Sequence, residues 1–245
     1  ILLKDNKMGF KYLNKDQDIF DGDDGEDVYA NEEQLQSRLE YFESQLAGLS
    51  ESSPAEERIK ILLEIGRIQV ERYKGADAWE KAFTAFSLAQ EDELWELAVE
   101  ACDVMFLSEG PDALVALGHA LWLGITFPID PEITVAMLQH LVEESPEEAD
   151  TRAVAAAAAH YITTLRCGED DDLTFFALQM LTSVADKHSH ITDQSTFDVW
   201  RKTLELDKPE VFLKKLSGAV DLLVEDKWWI DRDTIRAKLE AENTH

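Results

Sequence analysis

The chain has only two cysteines, Cys102 and Cys167, among its 245 residues. Each lies within an apolar helical pattern, and a pair at that separation gives neither a metal-ligand spacing nor a disulfide framework. They read as small core residues of a protein in a reducing, cytoplasmic compartment. Bases are scarce as well: 23 Lys and Arg stand against 51 Asp and Glu, a formal net charge of -28. Such an excess repels phosphate backbones and anionic lipid, so nucleic acid and membrane surfaces are excluded as expected partners. Long hydrophobic runs are missing. The longest uncharged stretch, residues 113–129, is interrupted by Gly118, His119, Gly124 and Pro128 and is too short and broken to span a bilayer. The opening Ile1, Leu2, Leu3, Lys4 turns charged at once, so no secretory apolar stretch is visible. No segment alternates with a period of two, which removes strands. Gly-rich phosphate loops, a nucleophile elbow and a zinc-helix signature are all lacking. The expectation is a non-enzyme with no cofactor and no metal.

What is present is helix after helix. The first thirty residues differ from the rest: Asp16, Asp18, Asp21, Asp23, Asp24, Glu26 and Asp27 crowd together, with Phe10, Tyr12, Phe20 and Tyr29 sprinkled among them. They predict a flexible acidic arm over 1–30, ahead of a helical repeat domain over 31–245. Asn31 and Gln34 are expected to cap a helix whose apolar positions Leu35, Leu39, Phe42, Leu46 and Leu49 form a narrow stripe. After a Ser53, Pro54, Glu56 capping box, Ile59, Leu62, Leu63, Gly66 and Val70 share one face, and Ile61, Ile65 and Ile68 another. Two apolar faces require neighbours on two sides. Following a turn over 74–77, Trp79, Ala82, Phe83, Phe86 and Ala89 line a partner helix, and another helix runs over 92–107. The segment 110–168 reads as three helices: one carrying Leu114, Leu117, Gly118 and Leu121, one begun by Asp130 and Pro131, and one begun by Ser145, Pro146 and Glu148. The third holds the alanine-rich run 153–159, which neighbours can approach closely all round. Further helices are expected at 172–187, 193–206, 209–224 and 231–242.

Leu62, Ile65 and Gly66 followed by Ala82, Phe86 and Ala89 resemble the tetratricopeptide (TPR) repeat, and Leu114, Leu117, Gly118 and Leu121 repeat its first half. The spacing Leu117, Gly118, Leu121, Gly124, Asp130 is similar to the related Sel1-type repeat. The resemblance implies an all-α fold, a right-handed array of antiparallel helical hairpins forming a TPR-like α-solenoid, with Gly and Ala where paired helices touch. It implies an adaptor or assembly chaperone that holds a segment of another protein in its groove. The runner-up is an acidic inhibitor or immunity-type protein that blocks a basic or nucleic-acid-binding site.

Candidate partner-binding residues fall into two groups. His119, Trp122 and Tyr161 project from central helices. Lys60, Arg67 and Lys74 recur every seven residues and form a basic stripe beside Glu56, Glu64 and Glu71. That stripe reads either as a salt-bridged solvent face or as the dock for the arm over 10–29, with Phe20 or Tyr29 in an apolar pocket. Asp186, His188, His190 and Asp193 carry metal-ligand atoms but have ordinary loop composition. Trp228 and Trp229 read either as a clamp on a C-terminal capping helix over the last face of the array or as an exposed aromatic anchor for a partner.

Overall fold

A computed structural model describes residues 10–13 and 25–242, the side chains of residues 25–30 excepted. The described residues contain eleven helices and no strand. They are α1 (Gly25–Gly48), α2 (Ala55–Glu71), α3 (Gly75–Glu91), α4 (Trp95–Leu107), α5 (Ala113–Thr126), α6 (Pro131–Glu144), α7 (Asp150–Arg166), α8 (Asp172–Ser189), α9 (Gln194–Thr203), α10 (Pro209–Val224) and α11 (Arg232–Glu242). From α1 to α8, consecutive helices pack against one another, and α2 also touches α4 while α4 touches α6. This is the stepwise packing of a helical-repeat array.

The two apolar faces of α2 have two destinations. Ile59, Leu62 and Leu63 enter the main core, whereas Ile61, Ile65 and Ile68 form a separate cluster with Leu35 and Leu39 of α1. Helix α7 is buried on nearly every side, with each alanine of its run at most 4% exposed. Only a methyl-sized side chain lets α6, α8 and α10 all reach its backbone so closely. Gly66 serves the same end on α2, where a Cβ would sit 2.9 Å from Val104 Cγ1.

Several expected boundaries move. Helix α1 starts at Gly25, so Asn31 lies inside it and caps nothing. Ser145 does not open α7. It ends α6, its hydroxyl donating to the Leu141 carbonyl at 2.7 Å, and α7 starts at Asp150. Pro54 precedes α2 with no side-chain cap, and Ser53 turns its hydroxyl to Ser50 instead. Asp130, Asp171 and Asp193 do cap α6, α8 and α9 through their carboxylates. The turns after α2, α3 and α4 are tighter than glycine punctuation suggests. Tyr73, Glu93 and Glu109 each take φ near +55°, a left-handed residue closing the helix end without glycine.

The larger difference is at the C-terminus. Helix α10 returns to the middle of the array and packs on both α5 and α7. Gly118 answers to this contact, because a Cβ there would overlap Val224 Cγ2. Its smallness serves α10 and not the α5–α6 pair that the repeat resemblance assigns to it. Trp228 and Trp229 likewise cover α3 and α5 in mid-array and not an end of it. Arg166, at the end of α7, ties the turn after α5: its guanidinium donates to the carbonyls of Gly124 and Phe127, both at 3.0 Å, and to Thr134 Oγ1 at 3.3 Å. Among the described residues no helix is long and apolar enough to cross a membrane.

Candidate functional site

Helix α4 is strongly apolar yet carries Glu100 and Asp103 three residues apart, hence on one face. Both are buried, at 6% and 5% exposure. A buried carboxylate is costly unless a cation and further donors meet it. Each finds its cation on a neighbouring helix of the same parity. Arg67 of α2 pairs with Glu100, and through its other nitrogen with Glu64 at 2.7 Å. His140 of α6 pairs with Asp103 at 3.3 Å, with Glu143 at 3.9 Å on its other side and the Phe106 ring at 4.6 Å. Burial pulls the His140 imidazole down, but hydrogen bonds and charge from Asp103 and Glu143 outweigh it and raise its pKa to about 9. A ladder of charge thus links α2, α4 and α6.

Residues 10–13 lie across this ladder. Tyr12 is 9% exposed, its backbone N–H donates to the Glu132 carboxylate of α6, and its phenol accepts from Lys11 Nζ at 2.5 Å. Burial first and Glu100 second push the phenol well above its usual pKa, with Arg67 pulling the other way. Leu13 N–H donates to the same Glu132 oxygen at 3.4 Å. Lys11 reaches Glu100 at 3.8 Å. Phe10 meets Phe176 of α8 edge-on, with ring centroids 5.8 Å apart. Four consecutive residues therefore touch α4, α6 and α8. The contacts are made by a lysine, aromatics and backbone N–H groups to acids, the reverse of an acidic arm on a basic stripe. The remainder of the arm over 1–30, Phe20 included, lies outside the described residues but for the backbone of α1, and the side chain of Tyr29 lies outside them too.

The basic stripe is not continuous. Lys60 is exposed and bound to Glu56 at 2.5 Å, Arg67 is committed to Glu100 and Glu64, and Lys74 falls beyond the end of α2 in the turn to α3. Of the three, Arg67 alone reaches the Tyr12 seat closely. His119, Trp122 and Tyr161 lie beneath the returning C-terminal segment. His119 is fully buried, its ring stacked on Trp229 at 4.3 Å, with its Nε2 accepting the Trp229 backbone N–H at 2.8 Å. Trp122 is 8% exposed between Phe127 and Trp228, and Tyr161 packs edge-on against Phe212 of α10. They form part of the core contact with the C-terminal segment and do not join Arg67. Of the four residues with metal-ligand atoms, Asp186 and His188 lie within α8 and not in a loop, His188 approaching Asp150 and Trp200, while His190 is the left-handed cap of α8 and Asp193 caps α9.

The sequence reading overlooked Glu100, Asp103 and Glu132 and gave His140 no partner. A signal for two of them existed: acids at a spacing of three in the middle of an otherwise apolar helix demand a buried counter-charge. No family model matches the chain, and neither the curated proteins nor the solved structures contain a significant match to it.

Proposed function

We propose that this chain is a non-enzymatic, TPR-like interaction scaffold that holds a segment of another protein across α4, α6 and α8. One observation carries the reading. A four-residue stretch, with eleven residues between it and α1, is already held across that face by side-chain and backbone contacts, as a bound peptide would be. The right-handed array of antiparallel hairpins implied by the repeat resemblance belongs to the same proposal, as does a reducing, cytoplasmic setting for the two free thiols. In function it is an adaptor or assembly chaperone. The test is site-specific photocrosslinking in cells, with a benzophenone amino acid in place of Phe176 on this face or of Leu222, which is 80% exposed on α10. Adducts with a foreign protein at position 176 and none at 222 are expected. Equal labelling at both positions, or none at 176, refutes the proposal.

A further inference from the structure

We infer that the face across α4, α6 and α8 recognises a segment of the pattern aromatic, basic, tyrosine, aliphatic, and that residues 10–13 are its resident occupant, displaced when a partner segment of the same chemistry binds. The inference rests on the scaffold reading above and adds the chemistry of the partner and the competition for the seat.

The seat contains one feature for each element of the pattern. Glu132 collects two successive backbone N–H groups, from Tyr12 and Leu13, which fixes chain position independently of side chain. The buried phenol of Tyr12 lies in the field of Glu100 and accepts from Lys11 Nζ at 2.5 Å, so a hydroxyl is used at that point and not merely a ring. The same carboxylate draws a lysine at the preceding position, 3.8 Å away. Phe176 offers an aromatic edge two residues before the tyrosine. Arg67 already neutralises Glu100 in part, so a strongly basic ligand is not required and a single base suffices. A segment rich in acid would meet Glu100 and Glu132 unfavourably, which sets the sign of the partner's charge.

A tethered segment with a short linker competes at an effective concentration on the order of millimolar. A resident interaction that is weak in isolation therefore still covers the seat, and an intermolecular ligand must exceed it. Competition makes the occupant measurable in the full chain. The probe is a fluorescein-labelled peptide of residues 8–15, Met-Gly-Phe-Lys-Tyr-Leu-Asn-Lys, followed by anisotropy. The full-length Phe10→Ala/Tyr12→Ala chain, with its seat vacated, should bind the peptide at least about tenfold more tightly than the wild-type chain does. A peptide with alanine in place of tyrosine should lose that binding, and Glu132→Gln in the vacated chain should weaken it. If the double variant loses its helical circular-dichroism signal, Phe10→Ala alone, which leaves the Tyr12 contact with Glu132 in place, replaces it and should show a smaller gain.

Equal affinity of wild-type and folded vacated chains, or no binding to either, overturns the inference and makes residues 10–13 an ordinary part of the fold. Equal binding of the tyrosine and alanine peptides also overturns it. Foreign adducts at position 176 without peptide binding would sink this inference and leave the scaffold reading intact. Peptide binding without foreign adducts would keep the seat's chemistry and remove the scaffold reading.

Discussion

Two histidines, His119 buried and His140 partly buried, give the stability of this protein opposite pH dependences. His119 donates from Nδ1 to the Val115 carbonyl at 2.8 Å and accepts at Nε2 from the Trp229 backbone N–H. Both nitrogens are used in the neutral ring, and a proton on Nε2 would face another N–H. Burial is the largest cause lowering its pKa to about 4, with the Arg232 cation adding to it and the Val115 hydrogen bond opposing. The unfolded chain takes up that proton near pH 6.5, so the folded state loses stability as pH falls below about 6.5 and the loss levels off near 4. Between about pH 7.5 and about pH 5 the linkage is worth about 2 kcal/mol. His140, raised to about 9, behaves in the opposite sense. Its contribution is complete below about pH 6.5 and is lost as pH rises through about 9, some 2 kcal/mol of it between about pH 6 and about pH 8. Urea unfolding followed by far-ultraviolet circular dichroism, for wild type, His119→Gln and His140→Gln, isolates each effect as a difference from wild type. Urea carries no charge and leaves the electrostatics of a chain at -28 unscreened. The wild-type advantage over His119→Gln should shrink with acid, and that over His140→Gln should shrink with base. Flat differences, or NMR titration of His119 near pH 6.5, would refute the argument.

Other outcomes follow from single contacts. Arg166→Met removes a charged donor from the carbonyls ending α5 and should cost about 3 kcal/mol, read as a lowered urea midpoint with an unchanged slope. Gly118→Ala drives a methyl into Val224 and should destabilise by roughly 1–3 kcal/mol, while Val224→Ala in the same chain should recover part of that; additivity of the two would contradict the contact. Glu109→Gly relieves a left-handed residue in the turn after α4 and should raise stability by about 1 kcal/mol in the same assay, a loss being the contrary result.

Sequence periodicity alone determined that the chain is helical, that α2 needs neighbours on two faces and that α7 is buried nearly all round, because these depend on which residues share a face of a single helix. The start of α6 at Asp130 and Pro131 was equally legible, its cap being a contact within one turn. The ends closed by Tyr73, Glu93 and Glu109 were not, since nothing in those side chains announces a positive φ. Only the tertiary structure decided what the faces meet. The return of α10 against α5 and α7 gives Gly118 its reason and buries His119 and Trp122 beneath the C-terminal segment. The seat of residues 10–13 joins Arg67, Glu100 and Glu132, up to 120 positions from Tyr12 along the chain. Contacts at that separation leave no periodic trace, because the charge of Glu100 is balanced by whichever helix the fold sets beside it.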